Sequence, residues 1–158
     1  MAIRRILKID NKEDLDFLRK KSKVVESFDE RLWVLLDDMK ETVRKADGAG
    51  LSAVQIGVLK RVFIIIDEDE EIVEFINPEI LETSGSCPIL EEGCLSVPRH
   101  YGKVKRPNIV VVKAYDRNGK GFTRQFVGFS AKAVCHESDH LDGVLFIDKT
   151  IDDIKKLK

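Results

Sequence analysis

The runs Ile109–Tyr115 and Phe122–Val127, joined across Asp116-Arg117-Asn118-Gly119, constrain this chain's fold more than any other stretch. β-branched and aromatic residues crowd both runs, as strands require. Asn-Gly is the signal of a tight hairpin turn between them. A chain built around such a unit needs an antiparallel sheet and something to cover it.

The cover is legible as helix. Ser27-Phe28-Asp29-Glu30 has the S-x-x-E pattern of a capping box, and Leu32, Leu35, Leu36, Met39 and Val43 follow at helical spacing. The pattern predicts an amphipathic helix ending near Asp47-Gly48, with Asp37, Asp38, Lys40 and Glu41 on its solvated face. A short surface helix or turn is expected over residues 10–21. Arg61–Ile66 and Glu71–Ile76 read as strands separated by acidic turn residues. Asn77-Pro78 is expected to end the second, leaving Glu79–Glu82 as a short third strand, and Ser84–Pro88 reads as a loop. Small and apolar residues return at helical spacing from Phe129 to His140, and Gly143 ends that helix. Val144–Ile147 reads as a last short strand. The fold class expected is α+β: mostly antiparallel sheets packed around a central helix that carries His136 and His140.

Length fits one domain spanning residues 1–158. A formal net charge of −1 removes the simple electrostatic case for a nucleic-acid binder. No run approaches the roughly 18 apolar residues of a membrane span. Met1-Ala2-Ile3-Arg4-Arg5 lacks a secretory signal's apolar stretch, so a cytoplasmic location without membrane partners is expected. Three cysteines, Cys87, Cys94 and Cys135, argue against a disulfide framework.

The chemistry concentrates in His136-Glu137-Ser138-Asp139-His140. Helical residues four apart share a face, so both imidazoles can address one metal ion. Glu137 projects from an adjacent direction and can reach a water at that ion without being a ligand. The pattern points to metal-assisted hydrolysis. A catalytic site needs a third protein ligand. The tail offers Asp142, Asp148, Asp152 and Asp153; upstream, Cys94 stands in Glu92-Gly93-Cys94-Leu95-Ser96 as the better candidate. There Gly93 permits close backbone approach, and Leu95-Ser96-Val97-Pro98 reads as extended.

Three segments together resemble one family. Gly48-Ala49-Gly50-Leu51-Ser52-Ala53-Val54-Gln55, Glu92-Gly93-Cys94-Leu95-Ser96 and the H-E-x-x-H stretch are similar to the signature motifs of peptide deformylases, in family order, within a resemblance running from about residue 3 to 148. The resemblance implies that Cys94, His136 and His140 bind one divalent metal, usually Fe²⁺ in the family, with Zn²⁺, Ni²⁺ or Co²⁺ as substitutes. It implies that Glu137 moves the proton of an attacking water. Gln55 and the backbone N–H of Leu95 would hold the oxyanion as formyl leaves an N-formylmethionyl peptide. Ala49, Gly50, Leu90, Gly93, Phe129 and Ala133 would meet the substrate, and Glu92 and Arg106 would brace the cysteine loop. Nascent chains are the implied partners, with transient proximity to the ribosome. Ser52 departs from the alanine usual in the first motif, and Cys135 from a frequent glutamine. Lys132 is expected near the groove.

Plainer readings apply elsewhere. Cys87 and Cys135 are expected as small core residues, His100 as a surface or loop residue, and Lys155–Lys158 as a frayed, solvated end. Two other functions compete: an H-E-x-x-H peptidase with a downstream third ligand, and a non-enzymatic metal- or peptide-binding relative. The second is disfavoured by the presence of both Glu137 and Gln55.

Overall fold

The computed structural model describes residues 2–151 and 155–156. Two helices open the chain, α1 (Lys12–Leu18) and α2 (Glu30–Lys45). Strand β1 (Gly50–Ser52) follows, then a 3₁₀ turn (Ala53–Ile56), β2 (Val62–Ile66) and β3 (Ile72–Ser84). A hairpin of β4 (Glu91–Cys94) and β5 (Val97–Lys103) precedes β6 (Ile109–Tyr115) and β7 (Gly121–Val127). Helix α3 (Phe129–Leu141), a 3₁₀ turn (Phe146–Asp148) and β8 (Lys155–Lys156) complete the order. The larger sheet has the order β1-β2-β3-β6-β7, and β4-β5-β8 form the smaller. Every strand pair in both is antiparallel.

Strand β2 shows why the helices lie where they do. Val62 and Ile64 point to one face, where α2 buries Leu32, Leu36 and Met39. Phe63 and Ile65 point to the other, among Phe75, Val112 and Phe126, where α3 adds Ala131, Val134 and Leu141. A strand buried on both faces reads as a continuous apolar run, as Val62–Ile66 does. The β4–β5 hairpin has a small core of its own, in which Val97, Val104 and Phe146 pack with Cys94. Helix α3 thus carries its histidines between the large sheet and this hairpin.

Five expectations change. Helix α2 is capped by Asp29, not Ser27: the Asp29 carboxylate accepts from Leu32 N–H at 3.4 Å. An acid at that position satisfies a free amide and opposes the helix dipole. Asn77-Pro78 does not end a strand; β3 runs through it with a shift in register between Ile76 and Glu79. Asn77 takes a left-handed conformation (φ 50°). Its side chain bonds both backbone groups of Val25, at 2.8 and 3.0 Å, which anchors the irregularity. Val144–Ile147 is no strand: Asp148 accepts from Leu145 N–H at 2.9 Å and tightens Phe146–Asp148 into a 3₁₀ turn. Leu95-Ser96 is not extended but forms the turn of the β4–β5 hairpin, where Cys94 pairs with Val97. At the chain's end, Lys155 and Lys156 pair with Tyr101 and His100 instead of fraying; Leu157 and Lys158 lie outside the described residues.

Candidate metal centre and its cavity

Helix α3 starts after Gly128, whose positive φ (66°) turns the chain from β7 into the helix. Its spacing puts His136 and His140 on one face, with ring centroids 5.1 Å apart. The β4–β5 turn brings Cys94 against them, its Sγ 3.3 Å from His140 Nε2. The three residues offer ligand atoms that all lie within 4.8 Å of one another. The two described downstream carboxylates that competed for this role are engaged elsewhere. Asp142 pairs with Arg61 at 3.0 Å, and Asp148 with Arg19. Asp152 and Asp153 lie outside the described residues.

A second layer holds this trio. Glu92 Oε2 is 2.8 Å from His136 Nδ1. Arg106 grips the same carboxylate with two bonds of 3.1 and 2.7 Å, and reaches Asp139 at 2.8 Å. Lys149 closes the chain on Asp139 at 3.1 Å. Asp139 therefore acts on the site through Arg106 and does not touch a histidine. Burial would push the Glu92 carboxyl up, but the bonds from His136 and Arg106 outweigh it and hold it at about 2. Fixing the far nitrogen of a ligating histidine in this way sets the ring's orientation.

The field at the centre favours a cation. Burial works against a proton on His136, yet Cys94 and Glu137 outweigh it and push that imidazole's pKa well up. Burial and then His136 drive His140 well down, so His140 is neutral with a lone pair to give. His140 Nδ1 is buried with no hydrogen-bond partner. One thiol and two imidazoles form a donor set suited to a borderline divalent metal. The residues present fit such an ion.

Glu137 is 4% exposed. Its Oε1 accepts from the Ser52 hydroxyl at 2.9 Å, while Oε2 faces His136 Nε2 at 4.0 Å. Burial pushes its carboxyl up, only partly opposed by His136 and Ser52. Gly50 makes this packing possible: a Cβ there would lie 2.8 Å from Glu137 Oε2 and 3.0 Å from the Ile64 carbonyl. Gln55 is buried too. Its Oε1 accepts from Ser52 N–H at 2.9 Å, and its Nε2 donates to Ser96 Oγ at 3.0 Å and faces Cys94 Sγ at 3.6 Å.

All this opens into a cavity of about 590 Å³. A family model for polypeptide deformylase matches residues 3–156. The chain belongs to the polypeptide deformylase family. It is 56% identical over 151 residues to the peptide deformylase of Caldicellulosiruptor bescii, covering 96% of this chain and 87% of that one. The solved peptide deformylase of Thermotoga maritima matches with a TM-score of 0.89 at 36% identity, over 96% of this chain and 100% of that one. The structure of the Legionella pneumophila peptide deformylase matches with a TM-score of 0.86 at 44% identity, over 94% and 86%.

Within this deformylase cavity, Ala49, Gly50, Gly93, Phe129 and Ala133 line the wall, as do Gln55 and Leu95. Leu90 does not; it is 61% exposed, on the approach to β4 and outside the lining. Lys132 lines it, one helical turn before His136. His100, expected on the surface, is half-buried in β5, with Nδ1 2.8 Å from the Pro98 carbonyl oxygen, and reaches the cavity. Cys135 is buried and its thiol is pushed by burial up to about 11, which leaves it unreactive. Cys87 is buried beside the Pro107 carbonyl, 3.3 Å away. The residue that sequence reasoning missed is Ser52. Its departure from alanine was visible, but nothing local to it pointed at Glu137.

Proposed function

We propose that this chain hydrolyses the N-formyl group from the amino-terminal formylmethionine of nascent polypeptides, releasing formate. The observation that carries the reading is the convergence of Cys94, His136 and His140 beside buried Glu137 at the floor of an open cavity. Cys94, His136 and His140 would hold one divalent ion. Bound there, the ion would supply Lewis acidity, polarising the formyl carbonyl and lowering the pKa of water towards neutrality.

The chain's own residues do the rest. Glu137 Oε2 takes a proton from the attacking water and returns it to the departing amine. Its raised pKa suits that shuttle, because the carboxyl can hold the proton between the two transfers. Gln55 Nε2 and the Leu95 backbone N–H donate towards the oxygen on which charge develops. Water adds across the formamide C–N bond, its hydroxyl to carbon and its proton to nitrogen. The products are formate and a peptide with a free methionine amine.

Phe129 and Ala133 give the methionine side chain apolar contact. Strand β1 is at the edge of the larger sheet, so its outer backbone groups at Gly50 are available to an extended peptide. One thiolate and two imidazoles suit borderline divalent ions; the family resemblance makes Fe²⁺ the native ion of this reading, with Zn²⁺, Ni²⁺ and Co²⁺ as substitutes. The reading places the activity in one catalytic domain, in the cytoplasm, close to the ribosome where formylated chains emerge. No helix among the described residues is long and apolar enough to cross a membrane.

The test is formate release from an N-formyl-Met-Ala-Ser peptide by anaerobically purified protein loaded with Fe²⁺ or Ni²⁺. Turnover that disappears in Cys94→Ala together with the bound metal supports the reading. Metal retained at one equivalent by Cys94→Ala would favour a peptidase-like site with another third ligand.

A further inference from the structure

The residue at position 52 does more than fill space. Ser52 ends β1 and is fully buried. Its hydroxyl oxygen lies 2.9 Å from Glu137 Oε1 and 3.0 Å from the Glu137 main-chain carbonyl oxygen. Its backbone N–H donates to Gln55 Oε1 at 2.9 Å. One residue therefore touches both side chains that the proposed reaction needs, through two different groups. An alanine at this position would keep the second contact and lack the first.

We propose that Ser52 is a positioning residue that makes the two oxygens of Glu137 unequal. The hydroxyl anchors Oε1 against β1. Only Oε2 is left on the His136 side, at 4.0 Å from that ring, to exchange protons with water. The restraint acts on rotation about the last bond of the Glu137 side chain, a torsion with a broad, roughly two-fold profile and little intrinsic preference. Gly50 bounds the same carboxylate from the other side, because its Cα faces Oε2 with no side chain between. Floor and anchor together fix the plane of the carboxylate. This inference rests on the reading of Glu137 given above.

The Ser52→Ala variant isolates the contact, since it leaves the Gln55 bond to the backbone intact. Loss of one buried hydrogen bond to the reacting carboxylate is worth about a tenfold change in rate or more. The expected result, on formyl-Met-Ala-Ser with the Ni²⁺-loaded enzyme, is a kcat lower by about tenfold. KM and metal content should stay near wild type, while the thermal midpoint falls modestly because Glu137 Oε1 is left buried without its partner. Ser52→Cys, close in volume but a weak donor, should follow Ser52→Ala.

An unchanged kcat in Ser52→Ala overturns the inference. So does a fall in kcat that tracks loss of metal, which would make Ser52 a packing residue. Wild-type turnover in Ser52→Cys would assign the effect to volume and overturn it as well. Absence of formate release by the wild-type enzyme would instead defeat the reading of the whole site, and this inference with it.

Discussion

Helices α2 and α3 cover opposite faces of one sheet and obey different rules. Helix α2 buries Leu32, Leu35, Leu36, Met39 and Val43, with two polar exceptions, Asp38 and Thr42. Both are fully occupied: Asp38 takes the Ala2 N–H at 2.7 Å and Arg4 Nε at 2.8 Å, and the Thr42 hydroxyl donates to the Asp38 carbonyl at 2.7 Å. Helix α3 buries Glu137 and His140 among small residues, and His140 Nδ1 has no partner. Packing alone accounts for the sequence of α2. It does not account for α3, where leaving His140 Nδ1 buried without a partner costs about 1–3 kcal/mol. The difference separates a helix selected for stability from one that sacrifices stability for chemistry.

The sharpest way to break that contrast is Glu137→Gln. It should retain metal and unfold at or above the wild-type temperature while losing about 10²–10⁴ in kcat, measured by formate release. Near-normal turnover would return α3 to the same category as α2. Chelation should have the next largest effect, abolishing turnover and lowering the thermal midpoint. An ion present at a thousand times its dissociation constant contributes about 4 kcal/mol to the folded state. A midpoint indifferent to chelator would mean that Cys94, His136 and His140 hold nothing.

Leu36→Ala tests the other helix. A cavity in the α2 core should cost about 2–5 kcal/mol in denaturant unfolding, with kcat per folded molecule unchanged. A selective loss of kcat there would show that α2 also shapes the site. The smallest effect belongs to the polar margin of α2, where Lys40 meets Glu74 at 3.0 Å and Arg117 joins from the β6–β7 turn. Burial would raise the Glu74 carboxyl, but the bonds from Arg117 and Lys40 outweigh it and hold it low. A carboxyl whose folded pKa is depressed stabilises above its unfolded value, and that stability is lost as pH falls through the lower, folded value. Glu74→Gln should therefore destabilise by ~1 kcal/mol at neutral pH and flatten the acid limb of a stability–pH curve below about pH 4.5. Parallel curves for the two proteins would show that the pair contributes nothing.

What could be read from sequence follows the same divide between local and distant causes. Helix α2, the β6–β7 hairpin and α3 were legible because period and turn residues specify them over a few residues each. The β4–β5 hairpin was not, since Glu91-Glu92-Gly93-Cys94 carries no apolar alternation and its small core is completed by Phe146 from far along the chain. Asn77-Pro78 misled because the bonds that let β3 continue come from Val25. In the site, His136, Glu137 and His140 followed from helix geometry, whereas the need for a third ligand left Cys94 among several candidates and the family resemblance singled it out. The grip of Arg106 on Glu92 and Asp139 joins three segments, and only the resemblance hinted at its first half. Ser52 and Glu137 meet across 85 residues, a distance over which no periodicity reports.

The bare backbone at Gly50 has a consequence for selection under drug pressure. A compound that rests on side chains can be escaped by changing them. Gly50 offers no such exit, because every codon change away from glycine drives a Cβ towards the Ile64 carbonyl and the Glu137 carboxylate. A binder that rests on that stretch of main chain leans on a surface the enzyme cannot redraw without disabling itself.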